Sequence, residues 1–228
     1  AIICLCYFLF LDQSFGNIER QSNPVPKMVY IHFQKVAGTT VEYGLNRFIK
    51  KLTAVCGSKK SFDRPSGSQY RKNSFPHSMR NADIVAGHGY WGCHEKLNSS
   101  SSYVYTAFFR KSLDRALSHF YRASCKQEKH CSIRRFLRLH AQNYYYNRLL
   151  YDKSLVDAGT YGENLQTVVS KSILRKNREG ALLNTVKKRI DDMPFVGLVK
   201  EFDASMPMFG RFLSLYFNFP DDIKFILL

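Results

Sequence analysis

The sequence predicts one α/β domain built on a parallel sheet with helices on both faces. Three observations lead there. Short β-branched and aromatic runs alternate with stretches of helical spacing along most of the chain. Those runs are apolar throughout rather than alternating, the mark of strands buried on both faces. The chain has 228 residues, 45% of them hydrophobic and 23% charged, which suits one ordinary globular domain. No internal repeat is visible.

The elements follow in order. Met28 to Phe33 (MVYIHF) reads as the first buried strand. After Gln34-Lys35-Val36-Ala37-Gly38, the stretch Thr39 to Leu52 carries Val41, Leu45, Phe48 and Ile49 at helical spacing. Lys59 to Arg80 is rich in Ser, Lys and Arg, with Pro65 and Pro76, and reads as a long basic loop or insertion. Asp83–Ala86 and Tyr103–Phe109 read as the second and third strands, and Phe195–Val199 as another. Ser112–Tyr121, Ile133–Ala141, Ala181–Ile190 and Ala204–Leu215 read as helices. In such sheets ligands bind at the carboxyl ends of the strands, which is where the informative residues fall.

The ends differ from this core. Ala1 to Leu11 (AIICLCYFLFL) is almost continuously apolar but shorter than the ~20 residues a membrane-spanning helix needs. It reads either as the remnant of a signal-anchor or signal segment or as a first buried element, with residues 12–27, bearing Pro24 and Pro26, as a stem and 28–228 as the domain. The final Lys224-Phe225-Ile226-Leu227-Leu228 reads as an element cut short, as in a fragment.

Charge narrows the function. Thirty-four Lys and Arg against 18 Asp and Glu give a formal net charge of +16. That asks for a polyanionic partner: nucleic acid, anionic lipid, a sulfated or carboxylated glycan, or an anionic small molecule. The six cysteines (4, 6, 56, 93, 125 and 131) form no C-x-x-C pair, so no structural zinc site is expected. Cys125 and Cys131 flank a short basic loop that a disulfide would close in a lumenal protein. Asn98-Ser99-Ser100 is a glycosylation sequon consistent with that compartment.

Two segments carry chemistry. A strand followed by Gln34-Lys35-Val36-Ala37-Gly38-Thr39-Thr40 and a helix is a phosphate-binding arrangement. Small residues let backbone N–H groups approach an anion, Lys35 adds a point charge, and Thr39 and Thr40 add hydroxyls. It is not a Walker A loop, since Lys35 precedes the glycine, and no acidic residue at a strand end suggests bound magnesium. A capped helix after a strand is the plainer reading. After the third strand, Arg110 sits at the strand end and Ser118 about two turns into the next helix, a guanidinium and hydroxyl suited to a second phosphate. Alone, this reads better as a solvated basic helix with Leu113, Leu117 and Phe120 on its core face.

Taken together, these segments resemble the membrane-bound carbohydrate sulfotransferases, relatives of the P-loop kinases. Lys35 to Thr39 matches the family's Lys-x-[Ala/Gly]-[Gly/Ser]-Thr. Arg110, Ser118, Phe120 and Tyr121 match its second signature, and Gly87-His88-Gly89-Tyr90-Trp91-Gly92-Cys93-His94 its Gly-His strand end. Glu163-Asn164-Leu165-Gln166-Thr167 is similar to its Asn-x-Gln-Thr segment, and Phe195–Asp203 to its Val-Gly-Leu-x-Glu-x-Phe-Asp strand and helix entry. The segments span roughly Met28 to Leu215. The sequence departs from the family at Arg110-Lys111-Ser112, where Arg-Asp-Pro is common, and at Val36 and Ala37, where Thr and Gly are frequent.

The resemblance implies a P-loop-kinase-like sheet and in-line sulfuryl transfer from 3′-phosphoadenosine 5′-phosphosulfate to a glycan hydroxyl, without a metal. It implies Lys35 on the phosphosulfate, the backbone of Ala37, Gly38, Thr39 and Thr40 on the 5′-phosphate, and Arg110 with Ser118 on the 3′-phosphate. His88 is the expected general base, with His94 in reserve; His94, Gln166 and Thr167 are expected to touch the acceptor, while His119 is assigned to a helix face. A glycosylated Golgi membrane protein, anchored by its N-terminus with a lumenal catalytic domain and an anionic polysaccharide acceptor rather than nucleic acid, completes the expectation. Two alternatives stand beside it: a non-catalytic heparin- or nucleic-acid-binding protein, using the Lys59–Arg80 and Ser124–Arg138 regions, and a P-loop-like kinase.

Overall fold

A computed structural model describes residues 27–56, 62–63, 82–97, 102–127, 132–140, 144–150 and 179–217. Five parallel strands form one sheet in the order β2-β3-β1-β4-β5: β1 Lys27–Ile31, β2 Phe62–Asp63, β3 Ile84–Gly87, β4 Tyr103–Phe109 and β5 Phe195–Leu198. Four are full strands, and β2 is a two-residue edge. The helices are α1 Gly38–Cys56, α2 Ser112–Gln127, α3 Ile133–His140, α4 Tyr144–Leu149, α5 Glu179–Asp191 and α6 Phe202–Tyr216. Short 3₁₀ turns cover Cys93–Lys96 and Val199–Glu201.

The apolar runs did predict strands covered on both sides. Met28, Val29, Tyr30 and Ile31 are consecutive and all 0% exposed, so both faces of β1 are shielded from water. On one face α6 lays Phe209 and Phe212 against Phe195, with Phe209 also 5.7 Å from the Phe108 ring and 6.4 Å from Tyr30. Gly197 makes that packing possible: a Cβ there would lie 2.4 Å from the Phe108 ring. Ser205 ties α6 back to the sheet, its hydroxyl accepting from the Leu198 N–H at 3.1 Å and donating to the Leu198 carbonyl at 3.2 Å.

Expected and observed boundaries differ in consistent ways. β1 ends at Ile31, because His32 and Phe33 turn out of the sheet into the loop, and it begins at Lys27, the last residue assigned to the stem. Helices α1 and α2 run further than expected, to Cys56 and Gln127. Within the expected Lys59–Arg80 loop, Phe62–Asp63 pairs with Ile84 and Val85 as β2. The missing proline at Lys111-Ser112 does not stop α2, which starts at Ser112 with the Arg115 N–H on the Lys111 carbonyl at 3.0 Å. The N-terminal apolar segment, the sequon, the Cys125–Cys131 pairing and the Glu163–Thr167 segment lie outside the described residues or side chains. Among the described residues no helix is long and apolar enough to cross a membrane.

Two glycines separate packing from propensity. Gly197→Ala must displace the Phe108 ring and is expected to cost about 1–3 kcal/mol in urea unfolding. Gly180→Ala, in α5 with nothing within 4 Å of the added methyl, is expected to be neutral or to stabilise by up to about 1 kcal/mol.

Candidate functional site

The sheet order reverses around β1, whose neighbours β3 and β4 are reached by separate crossovers. Crevices form at such switch points beyond the strands' carboxyl ends, and three strand exits meet here: His32–Ala37 after β1, His88 after β3 and Arg110 after β4.

The first exit is strained. Lys35 (φ 66°) and Ala37 (φ 58°) both adopt the left-handed conformation, which costs a residue with a Cβ roughly 1–2 kcal/mol. The Ala37 carbonyl then accepts from the Thr40 and Val41 N–H groups, opening α1 at Gly38. Alternating backbone of this kind turns successive N–H groups to one side, and the helix N-terminus adds partial positive charge. Thr39 and Thr40 are exposed there, and Lys35 is partly so. The Lys35 ammonium is held below its ordinary value by desolvation first, then by Arg122 and Arg110.

Arg110 meets this loop directly: its Nη1 donates to the Lys35 carbonyl at 3.5 Å. The two segments singled out in the sequence are therefore neighbours in space. Ser118 is half-buried on α2. Arg122 follows it by four residues on the same helical face and adds a third cation beside Lys35. The sequence reading did not include Arg122, although its i, i+4 spacing from Ser118 was the available signal.

His88 follows Gly87, whose φ of 151° turns the chain out of β3. Its Nδ1 lies 2.8 Å from the His32 carbonyl, which only accepts. Nδ1 therefore carries the proton, and in the neutral ring Nε2 is left with a lone pair. Burial lowers the His88 pKa first, then His32, with Arg148 adding to the same effect; the carbonyl bond and Glu42 oppose it. The His32 and His88 rings are 4.3 Å apart, and His32 Nδ1 is 2.8 Å from Glu42 Oε1.

His94 is held in the opposite sense. The Tyr105 hydroxyl accepts from the Gly92 N–H at 2.9 Å and the His94 N–H at 3.3 Å, so its own proton points to His94 Nδ1 at 2.6 Å. Nε2 of a neutral His94 then carries hydrogen and is a donor rather than a base. That favours His88 for proton abstraction and leaves His94 suited to hydrogen-bonding an acceptor oxygen. Trp91 offers no open platform beside it: Tyr105 stacks at 4.4 Å and the Arg189 guanidinium lies 5.6 Å from the ring centroid. The Cys93 thiol is buried and pushed up to about 11 by desolvation, so it stays protonated. His119 packs its ring on Phe136 of α3, as a helix-face residue. Gln166 and Thr167 lie outside the described residues. Among the described residues no group of three or more His, Cys, Asp or Glu is placed to hold a metal ion.

Helix α4, absent from the sequence reading, joins these exits. The Tyr144 hydroxyl accepts from the Gln34 N–H at 2.9 Å. That of Tyr145 accepts from the Arg110 N–H at 3.1 Å and donates to the Arg110 carbonyl at 2.7 Å. Arg148 Nη1 donates to the His88 carbonyl at 3.2 Å, and its own carbonyl accepts from the Trp91 N–H at 3.0 Å. Only the Tyr-Tyr-Tyr run at 144–146 signalled this helix.

Tyr145→Phe removes both bonds to Arg110 while keeping the ring contacts with Phe33 and Phe109. It is expected to lower unfolding free energy by about 1–2 kcal/mol, read from the urea midpoint at unchanged m-value. The chain matches no protein-family model, and no curated protein is similar to it, so the site is interpreted from its own chemistry.

Proposed function

We propose that the chain is a sulfotransferase that moves a sulfuryl group from 3′-phosphoadenosine 5′-phosphosulfate to a glycan hydroxyl. The observation that carries this reading is the junction of the three strand exits. A strained N–H-rich loop bearing Lys35 touches Arg110 from another strand, and His88 holds an unprotonated Nε2 at the same sheet edge. A cluster of Lys35, Arg110 and Arg122 fits a donor with phosphates at two positions. The strand order 2-3-1-4-5, with the loop after central β1, agrees with a P-loop-kinase-like fold.

In the proposed reaction the acceptor hydroxyl oxygen bonds to sulfur as the bond from sulfur to the bridging phosphate oxygen breaks. The hydroxyl proton passes to His88 Nε2, and the leaving phosphate keeps the electron pair beside Lys35. Positioning and charge stabilisation do most of the work in such transfers. The +16 chain suits an anionic polysaccharide acceptor, and the Golgi lumen with an N-terminal anchor is the setting we infer for it. A binder of heparin or nucleic acid needs no base-ready histidine at the phosphate loop, and a kinase reading predicts a preference for ATP.

Two experiments test this. Adenosine 3′,5′-bisphosphate should bind on the order of 10–100-fold tighter than AMP by calorimetry, with most of that difference lost in Arg110→Ala. Equal affinity in the wild-type protein defeats the assignment. His88→Ala should lose ~10²–10⁴-fold in kcat while keeping donor affinity. Because the His88 pKa is lowered from 6.5, the base stays neutral where a free imidazole is half protonated. The acid limb of wild-type kcat should therefore be centred below pH 6.5; a limb centred above pH 6.5 excludes His88.

A further inference from the structure

Tyr105 has no part in the reaction scheme above, yet the His94 segment is folded around its hydroxyl. The residue is 3% exposed on β4, and its ring stacks on Trp91 at 4.4 Å between centroids with 23° between planes. A phenol withdrawn from water needs partners for its proton and for its lone pairs. The oxygen accepts from the Gly92 N–H at 2.9 Å and the His94 N–H at 3.3 Å, which occupies both lone pairs. Two atoms are then in reach of the proton: His94 Nδ1 at 2.6 Å and the Cys93 sulfur at 3.9 Å. The first distance is that of a strong bond to nitrogen, and the second that of a weak contact with a thiol that keeps its own hydrogen. A hydrogen on Nδ1 would instead meet an oxygen with no lone pair left. The Tyr103 ring, 5.5 Å from that of His94, confines the imidazole further.

We propose that Tyr105 is a positioning residue for the acceptor: its hydroxyl, bonded to His94 Nδ1, holds the imidazole with Nε2–H on the side away from β4, as a fixed donor to an oxygen of the glycan. The identity of that partner rests on the sulfotransferase reading above; the orientation of the ring rests on the hydrogen bonds alone. Both groups are uncharged at neutral pH, because burial pushes the Tyr105 phenol well up and holds His94 below its ordinary value. A neutral ring fixed in this way can only give a hydrogen bond at Nε2, so it meets a sugar oxygen and rejects an ammonium group. His88 and His94, both on the chain that leaves β3, then divide the acceptor between them. One takes the proton of the reacting hydroxyl and the other grips a second oxygen, and two points orient a sugar ring where one does not.

Amide side chains separate the two nitrogens. Glutamine places its N–H group near the position of a histidine Nε2, and asparagine near that of Nδ1. Sulfate transfer to the best acceptor among desulfated glycosaminoglycans is the assay. His94→Asn and Tyr105→Phe should each raise acceptor KM about 3–10-fold while changing kcat less, and His94→Gln should recover most of the loss. Equal KM for the two His94 variants, or an unchanged KM in Tyr105→Phe, overturns the proposal. Tyr105→Phe keeps the ring on Trp91, the one tryptophan of the chain, whose fluorescence reports that the stack survives. Long-range proton–nitrogen NMR of the free protein at pH 7 tests the geometry without activity. His94 should be protonated at Nε2 alone, with a slowly exchanging Tyr105 hydroxyl proton coupled to Nδ1. If Tyr105→Phe does not fold, this spectrum decides, because a proton on Nδ1 defeats the proposal. Absence of sulfate transfer by the wild-type protein would sink the functional reading, and the spectra would still judge the hold of Tyr105 on His94.

Discussion

The geometry of the site depends on one short helix. Tyr144–Leu149 has six residues, too few to be stable alone, and is held by what it packs against. The Tyr144 and Tyr145 rings sit 6.2 Å and 4.9 Å from Phe33, and the Arg115 guanidinium covers Tyr144 at 3.8 Å. From that position two phenols and a guanidinium fix the backbones of Gln34, Arg110 and His88. At the far end the Arg189 side chain bonds the Leu149 carbonyl, so α5 holds the helix in turn. Strand exits are ordinarily free to drift relative to one another. Here each is bonded to a neighbouring residue of the same turn and a half of helix.

That rigidity bears on the charge at the site. Lys35 is desolvated and repelled by Arg122 and Arg110, and the backbone beneath it is left-handed at two residues that have a Cβ. These are costs in the folded chain, and an anion bound in the loop reverses the electrostatic one. A negative ligand offsets the repulsion among these cations, and a ligand that binds only the folded chain stabilises it as it binds. Ala37 shows the same economy in the backbone. Glycine would adopt this conformation freely, and alanine persists because α4 and the start of α1 over-determine the loop.

How much of this was legible in the sequence follows from the length scale of each signal. Strands such as Tyr103–Phe109 announced themselves because burial on both faces demands apolar runs. The β1 loop and Arg110 were legible because their residue types have a local chemical meaning. Elements of two to six residues were not: β2, the Cys93–Lys96 turn and α4 are too short to show a period. Glu42 was hidden for another reason. It falls three and seven residues before Leu45 and Ile49, on the edge of the apolar stripe of α1, where an acidic residue is easily taken as solvent-facing. Its partner His32 leaves the preceding strand, and no periodicity joins a strand exit to a helix turn.

Three histidines at one sheet edge show why residue type alone does not assign chemistry. Each is defined by what Nδ1 faces. Opposite a backbone carbonyl, His88 Nδ1 must donate, and the free nitrogen becomes a base. Opposite a phenol whose oxygen already accepts two N–H groups, His94 Nδ1 accepts, and the free nitrogen becomes a donor. Opposite a buried carboxylate oxygen at 2.8 Å, the His32 Nδ1 donates. An imidazole has one ordinary titration range but two nitrogens, and fixing one of them fixes the task of the other. Sequence reasoning ranked His88 above His94 by position in a motif. The structural ground for that order is the difference between a carbonyl and a hydroxyl, and it depends on Tyr105, which lies on β4, outside the Gly87–His94 segment that holds both histidines.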